Sequence, residues 1–132
     1  MRVTADLHIH SCLSPCGSLE MSPRRIAAEA SGHGIDMLAI TDHNSCRNAP
    51  AFEECCRTQG ILPLFGMEIT SSEEAHVVCL FENPQTAMEF GEYVESRLPE
   101  IKGDPHRFGD PVFVDADEHI LGEVSKALIG AT

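Results

Sequence analysis

His8 and His10 alternate with Leu7 and Ile9 in the stretch Ala5-Asp6-Leu7-His8-Ile9-His10-Ser11. In an extended strand, successive side chains point to opposite faces. Both imidazoles then share one face and both aliphatic chains the other. Two imidazoles beside an acidic residue make a natural pair of metal ligands. The pair alone is weak, because seven histidines in 132 residues give roughly 0.4 His-x-His pairs by chance. Its weight comes from polar residues further along. Asp42 and His43 follow one apolar run, Glu68 follows another, and His76 opens a third.

Such residues need a scaffold that gathers strand ends. Residues 2–9 read as a strand, and Leu13 to Ser18 has turn chemistry. Ser22-Pro23 reads as an N-cap followed by proline at the first helical position, with Ile26, Ala27 and Ala30 on one apolar face. Gly32-His33-Gly34 ends that helix. Ile35 to Ile40 suits a strand buried on both faces, running into Thr41-Asp42-His43-Asn44. A second helix is predicted over Ala49–Thr58, with Phe52, Cys55 and Cys56 inward and Gly60 as its stop. Ile61 to Phe65 reads as a third strand despite Pro63, and leads into Gly66-Met67-Glu68. After polar Ser71 to Glu74, Ala75 to Phe81 reads as a fourth strand. Asn83-Pro84 starts a third helix, with Ala87, Phe90, Val94 and Leu98 at helical spacing. Strands alternating with crossover helices predict an α/β fold with about four mainly parallel strands and the helices outside. In such sheets the carboxyl ends of the strands collect at one face, where sites are built. Lys102 to Asp110 reads as loop, and Val112–Val114 with His119–Leu121 as a hairpin around residues 115–118.

Composition narrows the partners. The net charge of −12, with no Trp and one Tyr, repels phosphate backbones and offers little to stack bases on. Stable binding of long nucleic acid is therefore not expected, while small phosphorylated substrates remain allowed. No apolar run approaches the ~18 residues of a membrane span, and the N-terminal residues do not form a signal peptide. Six cysteines without a Cys-x-x-Cys pair read as reduced thiols, so the expected address is the cytoplasm.

Four motifs carry a resemblance: Asp6-Leu7-His8-Ile9-His10-Ser11, Ala39-Ile40-Thr41-Asp42-His43-Asn44, Gly66-Met67-Glu68 and Ala75-His76. In this order and at this spacing they resemble the PHP family, named for polymerase and histidinol phosphatase, from residue 3 to about residue 98. The resemblance implies a distorted (β/α) barrel holding two or three divalent ions (zinc, manganese or iron). It implies phosphoester hydrolysis by a metal-bound hydroxide. By position, His8, His10 and Glu68 would hold one metal, Glu68 would bridge to a second bound by His76, and His43 would serve a third. His8, His10, Glu68 and Asp42 are thus the expected catalytic set. Asp6 and Asp42 would orient imidazoles from behind, and Ser11 and Asn44 would contact substrate phosphate. The family often carries an Asp before the glycine of the first loop, where this chain has Cys16. Either Cys16 supplies a softer ligand there, or the third position is weak, or Cys16 is only a small loop residue. Family members also run further, to a later His and an Asp-x-His that this chain lacks before Thr132. Residues 1–132 are therefore expected to be the front part of one such domain, C-terminally truncated, with exposed strand edges and self-association. Two rival readings stand beside the phosphoesterase: a catalytically incomplete metal-binding module, and a polymerase-associated, exonuclease-type module.

Other polar residues have ordinary readings. His33 suits a helix end. His106, His119, Glu73-Glu74 and residues 115–118 read as solvated, Arg24 and Arg25 as a helix face, and Cys55, Cys56 and Cys79 as small core residues.

Overall fold

The computed structural model describes residues 1–132. Four strands, β1 (Ala5–Ile9), β2 (Met37–His43), β3 (Leu62–Thr70) and β4 (His76–Phe81), lie side by side in chain order. β1, β2 and β3 run parallel, and β4 returns antiparallel to β3. This mostly parallel sheet is curled into a half-barrel. Helices α1 (Pro23–Gly32), α2 (Ala49–Thr58) and α3 (Pro84–Arg97) cover its convex face. A short helix α4 (Pro105–Phe108) and an antiparallel hairpin, β5 (Val112–Val114) with β6 (Ile120–Glu123), follow. No helix is long and apolar enough to cross a membrane.

Local chemistry accounts for the helix ends. The Ser22 hydroxyl accepts from the Arg25 N–H, and Pro23 begins α1 where a missing N–H costs nothing. Gly34 and Gly60 take φ of 70° and 72° just beyond α1 and α2, a left-handed turn that glycine adopts without a Cβ penalty. Asn83 caps α3 through the N–H groups of Gln85 and Thr86. Between sheet and helices lies one core, built from Ile26, Ala27, Leu38, Ile40, Phe52, Cys56, Phe65, Met67, Ala87 and Val94. Phe90 is only partly buried against it.

The strands depart from the sequence reading in three ways. The first begins at Ala5 rather than at residue 2. β2 runs on through Thr41-Asp42-His43 and β3 through Glu68 to Thr70, because their ladder continues to His43 opposite Glu68 and β4 pairs with β3 as far as Thr70. β1 carries a register shift between Asp6 and Ile9, so its alternation is broken: Ile9 packs on the core, while Leu7 is 42% exposed. Pro63 is tolerated because β4 reaches only to Phe65, leaving that edge of β3 unpaired. In the segment read as loop, Asp104 caps the four-residue α4.

Candidate metal centre

The half-barrel brings the separated polar residues to one rim. His8 stands near the carboxyl end of β1 and His10 just beyond it. His43 ends β2, Glu68 lies two residues before the end of β3, and His76 opens the returning β4. The Glu68 carboxylate is the hub. Its Oε2 lies 2.9 Å from His8 Nε2, 3.0 Å from His10 Nε2 and 4.0 Å from His43 Nδ1. Its Oε1 lies 2.7 Å from His76 Nδ1. The two oxygens thus face different imidazoles, the geometry with which a carboxylate joins two cations. The side chains of His10, His43 and Glu68 form the floor, 19%, 12% and 11% exposed, while His8 and His76 are about half exposed at the lip.

Three overlapping groups have ligating atoms close enough to share an ion, each within 4.8 Å: His8, His10 and Glu68; His43, Glu68 and His76; and His10, Cys16 and His43. The residues fit a divalent cation on two further observations. His43 Nδ1 is buried with no hydrogen-bond partner, an orphan that costs about 1–3 kcal/mol unless something fills its lone pair or takes its proton. His8 Nε2, His10 Nε2 and Glu68 Oε2 also converge within 3.2 Å of one another. A cation reconciles three converging acceptors without needing a proton between each pair.

Electrostatics favour the ligating forms. Burial lowers the His10 pKa below its ordinary value, against the pull of Glu68, and the neighbouring His8 adds to the lowering. Burial likewise lowers His43, helped by His10. Both rings therefore keep a free lone pair at neutral pH. Burial works to raise the Glu68 carboxyl, but hydrogen bonds with His8 and His76 and the nearby charges of His43 and His10 outweigh it, leaving its pKa below the ordinary value. The Cys16 thiol is raised by burial and by the charges of Asp42 and Glu68, so without a cation it stays protonated.

Four expected site residues sit differently from the expectation. Asp42 is fully buried and touches no imidazole. It accepts from the Ser11 N–H at 2.6 Å, the Ser11 hydroxyl at 2.6 Å and the Ser14 hydroxyl at 2.7 Å. It faces no solvent, and its hydrogen-bonded link to the rim runs through Ser14. Asp6 accepts from the His8 backbone N–H rather than from its ring. Ser11 is fully buried, with its hydroxyl donating to Asp42 and accepting from Asn48 and the Leu13 N–H. Asn44 is fully buried in a left-handed turn (φ 50°), with its amide donating to the carbonyls of Leu128 and Gly130 and accepting from the Thr70 N–H. Neither Ser11 nor Asn44 has a free group to offer a phosphate.

Two buried residues escaped the sequence reading. The Ser14 hydroxyl lies between Asp42 and the His10 ring, 3.1 Å from His10 Nδ1, and accepts from the His43 N–H. The Asn48 side chain ties the first loop to β5 through Ser11 and the Val114 N–H. Both are short polar residues in turn-rich segments, and only their distant partners reveal a role. A cavity of about 420 Å³ lies elsewhere, between α1 and β1, lined by Ile9, Met21, Ile26 and Leu38. It holds no converging ligand set, so the chemistry is read from the rim.

A profile of the PHP domain matches residues 6–131. An error-prone DNA polymerase of Symbiobacterium thermophilum is 36% identical over 81 residues, covering 60% of this chain and 7% of the polymerase. An uncharacterized protein of Methanocaldococcus jannaschii is 35% identical over 88 residues, covering 60% of this chain and 50% of that protein. A probable phosphatase of Acetivibrio thermocellus is 30% identical over 80 residues, covering 59% of this chain and 32% of that protein. The chain spans half or less of the length of these relatives.

Proposed function

This chain belongs to the PHP domain family, and from that membership we propose that it is a metal-dependent phosphoesterase acting on a small phosphate ester or nucleotide. The observation that carries the reading is the Glu68 carboxylate with its two oxygens turned to different imidazoles at one exposed rim. One metal would be held by His8, His10 and Glu68, a second by Glu68 and His76, and a third by His43, with Cys16 within reach of it. A thiolate at the last position favours zinc or iron over magnesium. When bound, divalent cations there polarise phosphoryl oxygens and make water a nucleophile near neutral pH. The protein's own part is to hold six ligands, five in or next to four strands and Cys16 in the first loop, and to keep His10 and His43 neutral. The half-exposed lip at His8 and His76 leaves an approach for a small anionic ester, which the cations would attract against the negative surface. All six cysteines are free thiols, which supports a reducing, cytoplasmic address.

The polymerase relative favours a second reading, a nuclease-type module. The net charge of −12 argues against it as a stable binder of long nucleic acid. The test is turnover of p-nitrophenyl phosphate and nucleotide phosphates by the chelator-stripped chain, reloaded with zinc or manganese, with metal content measured alongside. We expect metal-restored turnover, reduced in Glu68→Gln by more than the about 10–100-fold typical of residues behind the ligands. Bound metal without turnover would favour a catalytically incomplete module, and absence of bound metal would overturn the reading.

A further inference from the structure

The Ser14 side chain is 2% exposed, yet it touches both halves of the metal rim. A hydroxyl has one proton to donate and two lone pairs to fill. The Ser14 proton goes to Asp42 Oδ1 at 2.7 Å, and one lone pair takes the His43 backbone N–H at 3.0 Å. The remaining lone pair faces His10 Nδ1 at 3.1 Å. In a neutral ring that nitrogen then carries the proton, and Nε2 presents its lone pair toward Glu68 Oε2, 3.0 Å away, an acceptor pair relieved by a cation or by a proton on the adjoining His8 Nε2.

We propose that Ser14 is a positioning residue that locks His10 in the Nδ1–H tautomer and keys His10 and His43 to one buried carboxylate. The inference rests on the metal-centre reading for its consequence, but not for the tautomer itself. A ligating imidazole commonly donates its second N–H straight to a carboxylate. Here the Asp42 carboxylate makes no hydrogen bond with the ring, and a serine hydroxyl bridges the two. The loop that holds Ser14 is tight: the Ser14 N–H donates to the Ser11 carbonyl and the Gly17 N–H to the Ser14 carbonyl. A Cβ at Gly17 would lie 2.1 Å from the Ser11 carbonyl oxygen, so the turn needs glycine there. The same hydroxyl fixes the His43 main chain, so a shift of Ser14 moves two rings at once.

The test is the nitrogen NMR spectrum of the His10 ring in metal-free, nitrogen-15-labelled protein at mildly alkaline pH, with zinc affinity measured by chelator competition. The wild-type ring should show its proton on Nδ1. Ser14→Ala should lose that preference and bind zinc about 10–100-fold more weakly, and Ser14→Thr, which keeps the hydroxyl, should restore both. A wild-type His10 protonated on Nε2 would overturn the proposal, even where the variants fail to fold. So would a folded Ser14→Ala with unchanged tautomer and affinity. A protein that binds no zinc but shows the Nδ1 proton lost in Ser14→Ala would defeat the metal reading and leave this inference standing.

Discussion

At the scale of single residues, the rim is a set of groups held in the form that acid removes. His10 and His43 have their pKa lowered by burial from an ordinary 6.5. Below about that pH the unfolded chain takes up protons that the folded chain refuses, so stability falls as pH falls through this window. Glu68 acts in the same direction lower down, because a carboxylate with depressed pKa loses its stabilising effect as pH drops through its folded value. Asp42 opposes them: burial raises its carboxyl, so between its ordinary and folded values the folded state holds the proton and acid favours it. The urea midpoint of metal-free protein should therefore fall from about pH 7 to about pH 5, and a His10→Asn/His43→Asn double variant should lose much of that fall. A midpoint flat in wild type, or falling equally in the variant, would remove this account. The ligand types were legible from the sequence because histidine and glutamate at strand ends are chemically distinctive. Ser14 was not, since its partners Asp42 and His43 are contributed by another strand. Ser11 and Asn44 misled for a related reason: a polar residue beside a ligand reads as a contact, and only packing shows that its hydrogen bonds are already used.

At the scale of elements, the close contact of β3 with β4 sets where Glu68 meets His76. Gly66 sits opposite Leu80 in that ladder, and a Cβ on it would lie 2.0 Å from the Cys79 carbonyl oxygen and 3.0 Å from the Leu80 side chain. Backbone on the neighbouring strand cannot move aside without breaking register, so Gly66→Ala should cost about 1–3 kcal/mol and weaken metal binding through Glu68. Gly32 at the end of α1 is the control: nothing lies within 4 Å of its added Cβ. Gly32→Ala should leave stability unchanged or raise it by about 0.4–1 kcal/mol. Denaturant titration of the two variants checks the pair, and equal midpoints would contradict the close-contact argument. Helices were the most legible elements, because caps and glycine stops are local: α2 runs over Ala49–Thr58, as its apolar spacing predicts. Strand ends were less so, since β2 stops where its ladder with β3 stops and β3 where its ladder with β4 stops, which are properties of the pairs. The shift in β1 left no local mark, for no glycine or proline announces it.

At the scale of the whole molecule, two tendencies compete. β1 and β4 are the edges of the curled sheet, each with one unpaired ladder of N–H and C=O groups. Apolar side chains stand on them in the open: Leu7 on β1 is 42% exposed, and Val77, Val78 and Leu80 on β4 are 48%, 40% and 38% exposed. Such edges are templates for pairing with another copy. Against this stands a net charge of −12, which makes two copies repel. The repulsion reaches about 30 Å at 0.01 M salt but only about 10 Å at 0.1 M, whereas apolar contact is not weakened by screening. Self-association should therefore be slight in dilute buffer and grow with salt and protein concentration, read as a rising mass in sedimentation equilibrium. Val77→Lys places a charge on the β4 edge, the device by which natural edges block pairing, and should hold the chain monomeric across the same salt range. A mass that rises equally in that variant would move the association away from β4. A mass that falls with salt would show that contacts between opposite charges, rather than bare strand edges, hold the copies together.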